Sequence, residues 1–278
     1  MPLGTLTELP APKGATTNAI QILKNLAYIF CDIDGTLTGN NGRGHSSKLL
    51  DTLQRLMSHG LKIGLVSGRE TLTVLAVHRI FDLNGPIISE NGAELVLDPR
   101  HDETQRMKIG GLSLSQIATI TQRLEAHGFG ERCFIDPEKK HLVTLYPNEF
   151  PRHRPEDLPI LCERVIAVLQ PLANEIEISY SSAAIDICAR GVNKGTGIQK
   201  MCETLFEPLS VVAFVGDSVN DLPAFEVVSR GGGWVALVRN EPAVKSCLQT
   251  CPRVYYARAS ASEGAVKFLE FFSRHRNL

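Results

Sequence analysis

A chain of 278 residues is longer than one typical core needs and fits two domains, or one large domain carrying an insertion. Hydrophobic residues at 43% and charged residues at 21% are ordinary for a soluble globular protein. The formal charge of −1 supplies no basic field for nucleic acid and no polybasic patch for a membrane surface. No apolar run nears the ~20 residues that span a bilayer. The opening stretch MPLGTLTELPAPKGATTNAIQ has neither the apolar core of a signal peptide nor the Arg-rich character of a transit peptide. Seven cysteines (Cys31, Cys133, Cys162, Cys188, Cys202, Cys247 and Cys251) form an odd, scattered set that suits a reducing cytosol better than a disulfide framework. The close pair in CLQTC has no second pair or histidine to complete a zinc site. These observations point to a cytoplasmic enzyme or binding protein with no nucleic-acid or membrane partner.

In chain order, residues 1–25 carry prolines and no clear period, and read as a loosely ordered N-terminal extension. LAYIFCDI, residues 26–33, reads as a buried strand. SSKLLDTLQRLMSHG places Leu49, Leu50, Leu53, Leu56 and Met57 on one helical face, with Gly60 as the C-cap. KIGLVSG predicts a second strand and ETLTVLAVHRIFDL a second helix; His45 and His78 sit in these helical patterns. PIISENGAELVL holds Asn-Gly between two β-prone runs, a strong hairpin signal.

The pattern changes over residues 98–189, where helix, strand, strand occurs twice. That repeat predicts a small α+β unit with an antiparallel sheet. After Arg190 strand and helix alternate again: helix 195–206, strand VVAFVG, helix 219–228, strand GWVAL, a short helix, strand RVYYA and a final helix 261–274. The expected fold is therefore α/β, a Rossmann-like doubly wound parallel sheet built from 26–97 and 190–278, interrupted by an α+β insertion at 98–189.

Ligands of an open parallel sheet bind beyond the carboxyl ends of its strands, and four such positions here are polar. They are Asp32 and Asp34 in DIDG, Ser67-Gly68-Arg69 in LVSGRE, Asp217 through Asp221 in GDSVND, and Lys194 in RGVNKGTGI. Two residues apart in an extended chain, Asp32 and Asp34 face the same way, and DIDG alone reads equally as a turn leaving a strand. A calcium loop starting at Asp32 fails, because its glycine and glutamate positions fall on Leu37 and Arg43. Neither G-x-G-x-x-G after a strand nor a P-loop is present.

Taken together, Asp32 and Asp217 offer hard oxygen ligands of the kind Mg²⁺ takes. Ser67, Lys194 and backbone N–H groups near Gly35 and Gly68 supply donors for phosphoryl oxygens. A carboxylate beside a divalent ion and an anchored phosphate is a candidate nucleophile, with the cations offsetting the repulsion between two anions.

In this order, DIDGTL, LVSGR, NKG and GDSVND resemble the four motifs of the haloacid dehalogenase (HAD) superfamily of phosphohydrolases. The insertion before NKG resembles the type C2 cap of subclass IIB, which includes sucrose-phosphate, mannosyl-phosphoglycerate and Cof-type phosphatases. LNGPIISENGAEL with IDGTLTG is particularly similar to archaeal-type phosphoglycolate phosphatases, from which the N-terminal extension departs. The resemblance implies Asp32 as nucleophile and Mg²⁺ ligand. It implies Asp34 as general acid and then base, with its backbone carbonyl on the metal. It further implies Asp217 as the completing ligand, Ser67 and Lys194 on the phosphate, and Asn220 and Asp221 acting through water or holding Lys194. Asp221 reads equally as a cap for the helix near Leu222. Arg69 and Asn91 are candidates for substrate contact, the first also as a solvated helix-start residue and the second as a turn residue; Glu90 lies beside them.

A Mg²⁺-dependent phosphatase acting on a small phosphomonoester through an aspartyl-phosphate is the expected function. A phosphomutase of the same superfamily and a non-catalytic metal- or phosphate-binding regulatory module are the alternatives. A phosphoglycolate-like substrate needs a cation, for which Arg43, Arg69, Lys139, Lys140 and Arg190 are candidates; a sugar phosphate needs hydroxyl partners, for which Tyr146, Asn148, Tyr180, Ser181 and Ser182 are candidates. Monomer and homodimer are both open.

Overall fold

The computed structural model describes residues 23–39, 43–101, 105–148, 157–181, 183–239 and 241–276. From the N-terminus come β1 (Tyr28–Cys31), α1 (Leu49–Ser58), β2 (Lys62–Val66), α2 (Thr71–Ile80), β3 (Ile87–Ser89), β4 (Glu94–Val96) and β5 (Arg106–Lys108). Next are α3 (Leu114–Ala126), α4 (Phe129–Arg132), β6 (Cys133–Ile135), β7 (Val143–Pro147), α5 (Asp157–Leu169), β8 (Ile176–Tyr180) and β9 (Ile185–Ala189). The last are α6 (Lys194–Leu205), β10 (Val212–Gly216), α7 (Leu222–Arg230), β11 (Trp234–Leu237), α8 (Pro242–Cys247), β12 (Val254–Tyr256) and α9 (Ala261–Arg276).

The large sheet has the order β12-β11-β10-β1-β2-β3-β4-β5. From β12 to β3 it is parallel; β4 and β5 add an antiparallel edge. Its central strands are apolar throughout because both faces are covered. Ile29 and Cys31 pack on one side with Leu49, Leu53 and Leu56 of α1 and Phe268 and Phe272 of α9. Phe30, from the same strand, packs on the other with Met201 of α6 and Phe225 of α7. The period of two along β1 thus splits one short strand between two cores. Each such buried side chain contributes about 1.5–3 kcal/mol.

Register decides where the chemistry sits. Cys31 pairs with Val215 on one side and Leu65 on the other, so β1, β10 and β2 finish along one edge. Crossovers from β1 run toward β2 and β3, while β10, β11 and β12 extend the opposite way, which makes the β1–β10 boundary the switch point where such sheets bind ligands.

The smaller sheet, order β6-β7-β9-β8, is antiparallel throughout. It has its own apolar core, in which Leu124 of α3 and Val165 of α5 meet Leu145, Ile185 and Ile187. A capping box starts α3, with the Ser113 hydroxyl accepting from Gln116 N–H and the Gln116 side chain accepting from Ser113 N–H.

Several local expectations are corrected. Residues 1–22 of the extension lie outside the described residues, but Leu23 and Leu26 are fully buried in the main core, because the sheet face beside β1 needs covering. His45 precedes α1 and is not helical. The Asn-Gly hairpin exists, yet β3 and β4 are joined by four residues, with Glu90, Asn91 and Gly92 all at positive φ. Residues 106–108, inside the stretch read as insertion, form β5 on the edge of the large sheet. Among the described residues no helix is long and apolar enough to cross a membrane, and all seven cysteines are free thiols.

Candidate active site

Asp32 leaves β1 with its N–H donating to Val215 C=O at 2.9 Å. The chain then makes a wide turn, Ile33–Leu37, closed by Thr38 N–H on Ile33 C=O. Gly35 is required there: its φ is +79°, and a Cβ would sit 2.8 Å from the Asp217 carboxyl carbon. This turn separates the two aspartates, correcting the expectation that they face the same way. Asp32 points at Lys194, whereas Asp34 is held in a two-pronged ion pair by Arg69, Nε to Oδ2 at 2.6 Å and Nη2 to Oδ1 at 2.8 Å. Arg69 is therefore paired rather than free in solvent, and it lines the cavity beside Asp34. Its link to Asp34 raises its pKa further.

Lys194 is the first residue of α6, whose start is fixed by Asn193 accepting from Thr196 N–H. Its ammonium is buried between Asp221 Oδ1 at 2.7 Å and Asp32 Oδ1 at 2.9 Å. Burial alone lowers a lysine pKa; here Asp221 and Asp32 overturn that and hold it above its ordinary value. Burial pushes the Asp32 carboxyl up to about 7, with Lys194 opposing the rise.

Asp32, Asp217 and Asp221 present carboxylate oxygens within 4.8 Å of one another. Asp221 holds Lys194, but its side chain does not cap the helix at Leu222; its other oxygen accepts instead from Asp217 N–H and Ser218 N–H, which precede it. Both its oxygens are thus engaged. Asp217 is fully buried, and burial raises its carboxyl well above the usual range, with Asp221 and Asp32 adding to the rise. Its Oδ1 accepts weakly from the Thr36 hydroxyl at 3.4 Å, its Oδ2 accepts no hydrogen bond, and the Arg239 guanidinium stands 3.8 Å away. Three buried carboxylates against one buried ammonium, with an orphaned oxygen among them, fit a divalent cation held by Asp32 and Asp217. The Asp34 side chain is not part of this cluster, which leaves only its backbone carbonyl for a metal contact. Asn220 turns its carbonyl oxygen to the Ser218 hydroxyl at 2.6 Å and borders the cleft.

Ser67 is buried at the end of β2, where its hydroxyl accepts from Arg69 N–H at 3.2 Å. Facing it, the smaller sheet delivers Asp186, Lys139 and Tyr146, and with Asp32, Asp34, Ser67, Gly68, Asn220 and others they line a cavity of about 120 Å³. Asp186 accepts from Thr144 at 2.7 Å and from the Asn91 amide at 2.8 Å, and Lys139 donates to Gly68 C=O at 2.7 Å. Asn91 is thus both a left-handed turn residue and a link between the sheets. A larger cleft of about 450 Å³ lies behind Lys194 and Asn220, lined mainly by apolar groups of α5 and β8, and contains none of the three clustered carboxylates.

Asp186, Thr144, Thr36 and Arg239 escaped the reading of the sequence. Only Asp186 had a visible signal, a charged residue inside the apolar strand AAIDICA. Arg239 lies two residues beyond β11, the same edge position that identified the others.

A family model described as haloacid dehalogenase-like hydrolase matches residues 29–147 and 162–249. A phosphoglycolate phosphatase of Methanosarcina mazei is 28% identical over 247 residues, covering 87% of this chain and 95% of that protein. One from Methanopyrus kandleri is 28% identical over 209 residues, covering 74% and 82%. A solved protein of Thermoplasma acidophilum superposes with a TM-score of 0.66 at 19% identity, over 89% of this chain and 98% of that one. The sucrose-phosphatase of Synechocystis, solved with sucrose and phosphate, gives a TM-score of 0.59 at 18% identity, over 90% and 98%. These last two likenesses are of fold.

Proposed function

Because the chain belongs to the haloacid dehalogenase-like hydrolase family, we propose that it is a Mg²⁺-dependent phosphatase that hydrolyses a small phosphomonoester through an aspartyl-phosphate. The observation that carries this reading is the buried Lys194 ammonium bridging Asp32 and Asp221 beside the orphaned Asp217 Oδ2. Such a set is costly in an inert core and suited to gathering a cation and a phosphoryl group.

In this mechanism Asp32 and Asp217, with the Asp34 carbonyl, would hold the divalent ion, which when bound would supply positive charge to offset the repulsion between two anions. Lys194 and the Ser67 hydroxyl hold the remaining phosphoryl oxygens. An Asp32 oxygen forms a bond to phosphorus as the phosphorus–oxygen bond to the alcohol breaks, and Asp34 gives its proton to the leaving oxygen. Water then attacks phosphorus, Asp34 takes its proton, and cleavage of the acyl phosphate returns Asp32 and releases phosphate. The Arg69 fork fixes the orientation of the Asp34 carboxyl group. The smaller antiparallel sheet with α3 and α5 acts as a cap that closes over the core and excludes water.

Phosphate release from a panel of phosphomonoesters with Mg²⁺ tests the reading. Wild type is expected to turn over several, and Asp32→Asn to lose three or more orders of magnitude in kcat while keeping its fold. A wild type that releases phosphate from none overturns the proposal. Turnover dependent on a bisphosphate activator identifies a phosphomutase instead.

A further inference from the structure

Five cations border the space over the site or its surroundings, and four are committed; Arg239 faces Asp217. Arg69 is taken by Asp34, Lys194 by Asp32 and Asp221, and Arg190 by the carbonyls of Asn174 and Ile176 together with that of Ala173. Lys139 differs. It sits in the turn between β6 and β7, only 7% exposed, and lines the cavity above Ser67. Its ammonium donates one hydrogen bond, to the carbonyl of Gly68, and forms no ion pair among the described residues. Glu90, the carboxylate whose charge it moderates, is spent on the backbone N–H groups of Lys140 and His141. An ammonium has three donors, so two remain for a ligand. A buried cation without an anion is unfavourable unless something supplies one.

We propose that Lys139 binds a carboxylate on the leaving group, so that the substrate is a phosphomonoester of a small hydroxy acid. This rests on the phosphatase reading above. The phosphoryl group occupies the Asp32 and Ser67 end of the cavity. The alcohol then extends toward Gly68, where the Lys139 ammonium meets its carboxylate one peptide away from Ser67. Size agrees: about 120 Å³ is well below the ~300–1,000 Å³ of sites for drug-sized ligands, and leaves room for two or three carbons. Two of the hydroxyl-reading candidates are engaged elsewhere: the Ser181 hydroxyl accepts from Ala183 and Ala184 N–H in its own turn, and the Asn148 amide donates to Glu131 C=O.

The test compares phosphoglycolate with ethyl phosphate, which replaces the carboxylate by a methyl group. Wild type is expected to prefer phosphoglycolate in kcat/KM. Lys139→Met lowers that preference by about 10- to 100-fold, the range for a charge-assisted hydrogen bond, and Lys139→Arg retains most of it. A loss equal for both esters overturns the proposal and assigns Lys139 to the phosphoryl group or to cap closure; an unchanged preference overturns it as well. Equilibrium binding of both esters to Asp32→Asn and to Asp32→Asn/Lys139→Met protein decides the same question without turnover. Preferential binding of phosphoglycolate that Lys139→Met removes supports the proposal even if the phosphatase reading fails, and equal binding of the two esters overturns it.

Discussion

Among single residues, Asp217 carries the most electrostatic tension. Its buried Oδ2 has no hydrogen bond and faces two other carboxylates, a state that a divalent cation relieves. Mg²⁺ at 100 times its Kd is expected to add about 2.7 kcal/mol to unfolding stability by mass action. In Asp217→Asn that increment disappears, while the metal-free variant becomes more stable than metal-free wild type because one of three crowded buried carboxylates is gone. Thermal unfolding with and without Mg²⁺ checks both statements, and a wild type indifferent to Mg²⁺ contradicts them. The same logic explains why Asp34 and Asp32, two positions apart, behave differently. One lies 2.6 Å from a guanidinium at the cleft mouth, the other 2.9 Å from a buried ammonium.

At the scale of elements, the helix starts place the cations and the strand ends place the anions. The Asn193 cap seats Lys194 on α6, and Asp221 organises the entry to α7 by accepting two backbone N–H groups. His78 shows how an element is tied without serving the site. Buried on α2, it donates from Nε2 to Gly85 C=O at 2.9 Å, and burial lowers its pKa. The folded state therefore binds its proton less readily than the unfolded chain, whose histidine titrates near 6.5. Stability is full above that pH and falls as pH drops below it. His78→Gln keeps a donor and removes the titration; its unfolding free energy should fall less steeply as pH drops below about 6.5, by at most ~1.4 kcal/mol per pH unit. Identical pH slopes in urea titrations contradict this. The elements themselves were largely legible, because their apolar periods are strong. What escaped was local geometry: a four-residue loop at Asn-Gly, and a helix α1 that begins only at Leu49. Positive φ at Glu90 and Asn91 is imposed by partners distant in sequence, Lys140, His141 and Asp186.

At the scale of the whole molecule, the cleft exists because two sheets with separate cores face each other across it. Glu90 is a principal bridge: its carboxylate accepts from Lys140 N–H at 3.0 Å and His141 N–H at 2.6 Å, holding the turn that carries Lys139. Glu90→Ala leaves those N–H groups unpaired and should cost about 1–3 kcal/mol in stability. It should also raise KM more than it lowers kcat, since substrate binding depends on the Lys139 turn while Asp32 is untouched. Steady-state kinetics beside chemical denaturation separates these effects, and an unchanged KM contradicts the role.

The sequence by itself determined the α/β alternation, the presence of an α+β unit that interrupts it, and the residue types gathered at the strand ends. Those are local properties, written in apolar period and in the cost of placing carboxylates beside buried strands. Only the tertiary structure decided which charges meet. The parallel register of Cys31 with Val215 and Leu65 brings Asp32 level with Gly216 and Val66, one residue before Asp217 and Ser67. The turn at Gly35 sends Asp34 to Arg69, and the facing sheet brings Asp186 and Lys139 over the site. Ion pairing and desolvation depend on distances between residues more than a hundred positions apart, and no pattern along the chain encodes them.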